Sequence, residues 1–586
     1  MGIIDTMKPY PVIHIICCAL LCIFITTPLF AAKARYLPLR YEFTGITDKK
    51  IQANVNTTLE NFRNTLHFPL TQRDLQHFYR KAPVFIKMAV EPYGYFRSQV
   101  QSQLIKTQKV WIARFFVTLG PPLRIKSTQI QIQGAGSTDP KFQEWETHLP
   151  FQVGQPLETE QYENAKLHLY NIATRRGYFD AKVVKKQIAI NLKSYYATII
   201  IIYDTGPRYR FGPTTFSETP FYDRFLKRFL TYHEGEYYDA TKLEASQEGL
   251  LSSNYFNQVT PKVNTKNATP YTAPIRMELI PRKSKTYTLG LGYGTDTGIR
   301  GTVGLTLRQL GHEGHRFQTL LRASPKNSSL VAKYTIPGFN PAKDHFTIGA
   351  GLSNMEQSTG NANNAKFGVT YTYLSKHWKN SLALAYLNEH YNIANLPNTS
   401  TQLVYPTFDT KYINADNPKR LHKGISLEIQ LAGADKNLLS QTSFFQSQLH
   451  LKTLYTIERT KTRLLFRSDY GYTNIANLNS LPLSLQLFAG GSRSVRGYGY
   501  NSIGPGRNLV VASTEIQQRV YGSFYLAGLV DAGVVANQDI FHHINVGTGP
   551  GLAWISTIGT IELTVANAFT QSNKPWSYQF TMGTPL

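Results

Sequence analysis

Gly490-Gly-Ser-Arg-Ser-Val-Arg-Gly-Tyr-Gly-Tyr500 packs four glycines and two arginines into eleven residues and carries tyrosines at positions 498 and 500. Glycine and serine supply the backbone freedom that a folded-back chain needs. Two guanidinium groups in so tight a segment require acceptors. Composition alone suits a solvated basic loop. The segments on either side point elsewhere: they alternate apolar and polar residues, and the stretch interrupts them. That setting predicts a loop folded into a β-barrel and pinned there by arginine.

Outward from this stretch, residues 285–586 read as β throughout. Phe346, Ile348, Ala350 and Leu352 alternate with Thr347, Gly349 and Gly351; Ile425, Leu427, Ile429 and Leu431 alternate with Ser426, Glu428 and Gln430; Ile561, Leu563 and Val565 alternate with Glu562 and Thr564. One face is apolar and rich in tyrosine, and the other carries Gly, Thr, Ser and charge. A membrane barrel is written in such alternating segments of about ten residues, with aromatic girdles and a polar interior. The pattern predicts eleven strands before the arginine loop and five after it. The total of sixteen is even, as single-chain outer-membrane barrels require. Asn354–Ala365 and Tyr391–Thr399 read as long outer loops, and Pro337–Lys343 as a shorter inner turn.

The N-terminal half repeats itself. Gly94-Tyr-Phe96, Gly177-Tyr-Phe179 and Asn254-Tyr-Phe256 lie 83 and 77 residues apart. A helical pattern precedes each, with Thr71, Thr159 and Asp239 in the N-cap role. Pro83 is expected to break or restart the first helix. Two strands follow each aromatic motif. The first and second copies close on Gly120-Pro121 and Gly206-Pro207. Each copy therefore reads strand, two helices, strand, strand over about 80 residues, a small-domain length. Asn254 replaces glycine in the third copy and leaves its turn open.

Residues 1–34 carry Lys8, an apolar stretch from Val12 to Leu29, and Ala32-Lys-Ala34. They read as a secretory signal peptide, cleaved after Ala32 or Ala34. All three cysteines (Cys17, Cys18 and Cys22) lie inside it, so residues 35–586 can hold neither a disulfide nor a thiol nucleophile. No later apolar run approaches the ~20 residues of a spanning helix. The net charge of +25 is spread over both halves. A nucleic-acid binder concentrates its charge on one face or arm, so contact with anionic lipid and lipopolysaccharide is the expectation and nucleic acid is not.

The order helix, Gly-Tyr-Phe, two strands, Gly-Pro resembles the POTRA module, the polypeptide-transport-associated domain. The resemblance implies three such domains over 35–122, 123–207 and 208–284. A 16-stranded outer-membrane barrel then occupies 285–586, with an inward-folded loop at 490–507. Val495-Arg496-Gly497-Tyr498 resembles the sixth-loop motif of the outer-membrane assembly superfamily that contains BamA, TamA and the two-partner secretion transporters. Three repeats place the resemblance nearest the TamA branch, the translocation and assembly module subunit. The resemblance implies that Arg496 reaches into the lumen and meets acids on the following strands. Those acids match Asp531 in Leu529-Val-Asp-Ala-Gly533 and Glu515 in Ser513-Thr-Glu515. Alternation alone leaves Asp531 free to face either side.

The first strand carries Leu289, Gly290, Leu291, Gly292, Tyr293 and Gly294. It must pair with the last strand, around Gln579, Phe580, Thr581 and Met582, to close a barrel. Alternate glycines weaken packing on the inner face. The expected function is therefore outer-membrane protein assembly or translocation. Such a factor helps insert or secrete β-rich clients, such as autotransporters, by strand exchange at a weak first/last-strand seam. The alternatives are a two-partner-secretion-type transporter and a passive porin or receptor channel. A porin has no need of three periplasmic modules, and a plugged transporter needs about 22 strands. The implied partners are a large, inner-membrane-anchored, TamB-like periplasmic protein and unfolded outer-membrane clients. The implied location is the outer membrane of a Gram-negative bacterium.

No enzyme is expected, and no cofactor, metal or catalytic residue. Asp296-Thr-Gly298 matches the aspartic-protease triplet, but it lacks a second copy and apolar flanks. His312-Glu-Gly-His315 offers two imidazoles, but zinc wants a third or fourth ligand, so a turn between strands explains it better.

Overall fold

The computed structural model describes residues 38–583 except 67–69, 108–109, 266–270, 295–297, 358, 394–396, 418–420, 541 and 557–558. The expected signal peptide at 1–34 and the Asp296-Thr297 pair lie outside the described residues. The described chain forms two compact units. One holds the first repeat and most of the second, and the other holds the third repeat and the long sheet.

Each repeat is a three-stranded sheet with two helices. The first comprises β1 (Leu39–Thr44), α1 (Lys49–Asn64), α2 (Gln72–Val90), β2 (Gln99–Lys106) and β3 (Trp111–Thr118), in the sheet order β1-β3-β2. Val55, Leu59, Phe78, Ile86 and Phe115 fill its core. The second comprises β4 (Arg124–Gln133), α3 (Pro140–Thr147), α4 (Thr159–Arg176), β5 (Lys182–Asn191) and β6 (Tyr196–Asp204), in the order β4-β6-β5. The third comprises β7 (Arg210–Phe216), α5 (Asp223–Lys227), α6 (Ala240–Ser252), β8 (Phe256–Val263) and β9 (Thr272–Pro281), in the order β7-β9-β8. Its core is aromatic, built on Phe211, Phe225, Phe229 and Phe256.

Three local expectations change. Helix α2 runs unbroken through Pro83. Proline costs it a single backbone hydrogen bond, while Phe78, Ala82 and Ile86 on one face are buried in the core and hold the helix together. Thr159 is the first helical residue of α4 rather than its cap. Asn254 adopts φ +64°, close to the +87° and +82° of Gly94 and Gly177, so the turn survives without glycine. Asparagine tolerates the left-handed region better than most side chains.

The long sheet has sixteen antiparallel strands. Eleven precede the arginine loop: β10 (Lys285–Gly294), β11 (Gly298–Leu310), β12 (His315–Ala323), β13 (Asn327–Pro337), β14 (Asp344–Gln357), β15 (Gly360–Leu374), β16 (Trp378–Ile393), β17 (Thr399–Ala415), β18 (Lys423–Ala434), β19 (Phe444–Ile457) and β20 (Thr462–Ile475). The loop carries the short pair β21 (Leu487–Ala489) and β22 (Ile503–Gly506). Five strands follow: β23 (Asn508–Tyr521), β24 (Phe524–Ala536), β25 (Asn545–Ser556), β26 (Gly559–Ala568) and β27 (Trp576–Gly583). The expected long outer loop over Asn354–Ala365 is largely strand, and the one over Tyr391–Thr399 is strand at its two ends. β14 and β15 stay paired as far as Gln357 and Gly360, and β16 runs to Ile393. Backbone pairing continues through the polar residues of these segments, since Asn and Thr on paired strands bond across them as Asn354 does with Asn363.

The third repeat sits on the first turns of this sheet. The Tyr255 hydroxyl donates to the Gly314 carbonyl, and the Tyr222 amide donates to the His312 carbonyl at 3.1 Å. Arg224 pairs with Glu313, and Arg228 Nη2 donates to the Pro337 carbonyl at 3.3 Å. The two histidines of His312-Glu-Gly-His315 diverge: His312 Nδ1 lies 2.6 Å from the Pro220 carbonyl and His315 Nδ1 2.7 Å from the Tyr334 hydroxyl. No metal-holding cluster occurs among the described residues.

Sixteen paired strands resist detergent until heated. The full-length chain is expected to run faster on SDS gels when loaded cold than after boiling. Identical mobility in both lanes would contradict a folded barrel.

Candidate functional site

The loop between β20 and β23 folds back against the inner faces of the last strands. Val495 and Tyr498 are buried with Leu487, Ile503, Leu509, Val511 and Ala568. That apolar seat fixes the backbone on either side of Arg496. Two strand glycines and one in the loop make room for it. A Cβ at Gly533 would overlap Val495, and one at Gly547 would overlap the Arg496 carbonyl oxygen. Gly497 has φ +97°, and a Cβ there would come within 2.8 Å of the Asn567 backbone. Only glycine meets both demands at position 497. The Tyr498 hydroxyl lies 2.8 Å from Thr570 Oγ1.

Arg496 is 4% exposed and spends its donors on carboxylates. Its Nε donates to Asp531 Oδ2 at 2.8 Å and its Nη2 to Asp531 Oδ1 at 2.9 Å, a bidentate fork. The Arg496 backbone amide donates to the same Oδ2 at 2.9 Å. Nη1 is shared between Glu515 Oε2 at 2.6 Å and Glu562 Oε1 at 3.1 Å. Ser513 on β23 supports the fork from behind, its hydroxyl donating to Asp531 Oδ1 at 2.5 Å. Gln517 Nε2 donates to Glu515 Oε1 at 2.5 Å, and Gln517 Oε1 accepts from Arg463 Nη1 at 2.6 Å. Asp531 is fully buried. A carboxylate in such a place must be paired, and here it is. Alternation left its facing open; the inner face is where its partner stands.

Glu562 and the supporting Ser513, Gln517 and Arg463 have no counterpart among the residues expected from the motif. The signal for Glu562 was present, because its alternation with Ile561 and Leu563 puts it on the polar face. Glu389 on β16 is a further unexpected group. It is fully buried. It accepts from the Ser484 amide at 3.0 Å and from Asn364 Nδ2 at 3.3 Å, and so holds the loop's first limb.

The expected seam residues lie on β10 and β27, the first and last strands of the sheet. Among the described residues no registered ladder joins β10 to β27, although Cα atoms of the two strands come within 8 Å. On β10 the outer face is Tyr287, Leu289, Leu291 and Tyr293, with Leu291 93% exposed. The inner face offers Gly290 and Gly292, where the stem of Arg300 lies over the missing side chain at 3.6 Å. On β27, Gln579 is buried, while Phe580 and Met582 face outward and Thr581 alternates inward. An edge with few inner side chains has little but backbone pairing to hold it.

The chain is similar to known families over most of its length. Residues 40–119 match the model described as POTRA domain TamA domain 1, and 209–278 that of the surface antigen variable number repeat. Among solved structures it resembles BamA from Haemophilus ducreyi lacking POTRA domains 1-3. That match has a TM-score of 0.66 and 18% identity, and covers 78% of this chain and 99% of the other. CdiB from Acinetobacter baumannii aligns with a TM-score of 0.48 and 13% identity, over 92% of this chain and 99% of the other. The Omp85 superfamily domain model matches residues 291–585, half of the chain. The protein therefore belongs to the Omp85 superfamily of outer-membrane protein assembly and secretion, as an outer-membrane barrel with N-terminal periplasmic POTRA domains.

Proposed function

We propose that the chain inserts or secretes β-rich outer-membrane clients, autotransporters among them, by strand exchange at the β10/β27 edge. The observation that carries this reading is the unladdered edge itself. β10 presents backbone donors and acceptors that a client strand can use, and its glycine-lined inner face offers little side-chain packing to displace. Each added client strand gains hydrogen bonds and lipid-facing burial, so client folding supplies the driving force. Arg496, with Asp531 and Glu515, acts as the latch that keeps the loop seated beside the strands leading to the edge. The match of residues 40–119 to a TamA-type first domain supports a TamA-like role with a TamB-like periplasmic partner. The same reading takes 1–34 as a cleaved signal peptide.

The test is a reversible lock. Leu291→Cys is combined in turn with a cysteine at Gln579, Phe580, Thr581 or Met582; residues 35–586 hold no competing thiol. Oxidation is expected to crosslink at least one outward-facing pair, with Phe580 or Met582, and to stop assembly of an autotransporter client until reductant is added. Undiminished assembly by the fully crosslinked protein would overturn strand exchange at this edge.

A further inference from the structure

We propose that Glu562 is a positioning residue that couples the loop to the terminal strand, so that seating Arg496 also steadies β27. This rests on the edge reading above and specifies how the edge is controlled.

Asp531 and Glu515 already balance the charge of Arg496, and Glu562 takes only the last of its five N–H groups, the second Nη1 hydrogen. Asp531 takes Nε, Nη2 and the backbone amide, and Glu515 takes Nη1. A third carboxylate beside Glu515 adds like-charge repulsion. Its place in the fold supplies a reason. Glu515 and Asp531 stand on β23 and β24, well inside the sheet. Glu562 stands on β26, the neighbour of the terminal strand, and is register-paired with Thr581 of β27.

A second contact reaches the same strand independently. Gly497 packs against the backbone at Asn567–Ala568, the far end of β26. The Asn567 side chain donates to the Lys574 carbonyl at 2.5 Å, and Asn567 pairs with Trp576, so this end of β26 carries the turn into β27. The loop thus grips β26 near both ends. Between the latch and the terminal strand lies a 460 Å³ cavity, lined by Arg496, Glu515 and Glu562 together with Thr581 and Met582. That space lets β26 and β27 shift inward or outward when the grip is lost.

The experiment is hydrogen–deuterium exchange read by mass spectrometry. It uses the full chain in phosphatidylcholine/phosphatidylglycerol nanodiscs and follows segments 490–500 and 576–583. Glu562→Gln keeps the side-chain shape and removes the charge. It is expected to speed exchange over 576–583 by about threefold or more while leaving 490–500 at the parent rate. Arg496→Ala is expected to speed both segments, and adding Glu562→Gln to it should speed 576–583 no further. Glu562→Asp, one methylene shorter, should recover part of the protection. A merely structural role would add its effect in both backgrounds, and multiplying effects therefore overturn the proposal. So does unchanged exchange over 576–583 in Glu562→Gln. The readout involves no client. A parent protein that assembles no client would sink the assembly reading and leave the coupling measurable.

Discussion

Arg496→Ala is expected to unseat the loop and lower client assembly by about tenfold or more, while the chain still reaches the outer membrane. Removing one partner of a buried ion pair typically costs about 3–5 kcal/mol, because the stranded charge keeps its desolvation penalty. Here the stranded group is Asp531, which is fully buried and loses both arms of its fork. Asp531→Ala is expected to act in the same direction. It leaves Glu515 and Glu562 to hold the guanidinium but strands the Arg496 backbone amide. Arg496→Lys should rescue little, since a point charge cannot span Asp531 on one side and Glu515 on the other. In the double variant no charge of the fork is left unmatched, so Arg496→Ala/Asp531→Ala should be milder than the two losses summed. Protease susceptibility of residues 490–500 and client assembly are the two measurements. Strict additivity would show that the pair contributes nothing as a pair.

Much of this fold was legible because both of its periods are strict. Sixteen alternating segments could be counted by face, since a period of two leaves little freedom once one side meets lipid. The three repeats were legible through a shared need, the left-handed turn before the aromatic pair, which Gly94, Gly177 and Asn254 all satisfy. What escaped was set by pairing across distance. The polar run after Asn354 looks like loop by composition, yet it is strand because β15 lies alongside it. Pro83 looks like a break, yet the core of the first repeat carries α2 past it.

The same division holds at the candidate site. Arg496 is marked by its glycine-rich stretch, and Asp531 and Glu515 by the resemblance of their segments to the family's motif. The motif says nothing of Glu562, because the two acids that match it already balance the arginine's charge. Glu389 is hidden for a different reason. Its partner is a backbone amide of Ser484, which no side-chain pattern reveals. It shows that the loop is held by both limbs. The first limb docks on β16 through Glu389, which Asn364 of β15 supports, and on β19 through Gln446, whose Nε2 donates to the Leu485 carbonyl at 2.8 Å. Loss of the arginine therefore frees the second limb, while the first stays on the opposite wall.

Gly547→Ala is expected to match Arg496→Ala in effect, although every charge of the cluster stays in place. The added methyl would overlap the Arg496 carbonyl oxygen. Overpacking of a tight site ordinarily costs about 1–3 kcal/mol, and it does so by pushing flexible groups aside. Neither party has that freedom here. The methyl has no rotamers, and the oxygen belongs to a backbone whose neighbours, Val495 and Gly497, are packed on both sides. The strand is part of a registered ladder with β24 and β26. The loop must therefore lift, and with it Arg496 leaves Asp531. Gly547 sits in extended strand backbone that alanine adopts without strain, so β25 itself should remain intact. Gly528 on β24 is the control, since a Cβ there meets nothing within 4 Å and Gly528→Ala should behave as the parent. Three readings decide the matter: protease cleavage within 490–500, cold-gel mobility, and client assembly. Gly547→Ala should expose the loop and lower assembly while keeping the folded-barrel mobility, and in the Arg496→Ala background it should add nothing. A Gly547→Ala protein with a protected loop would mean that Arg496 does not lie against β25. An additive loss in the double variant would mean that the methyl acts on the barrel wall and not through the arginine.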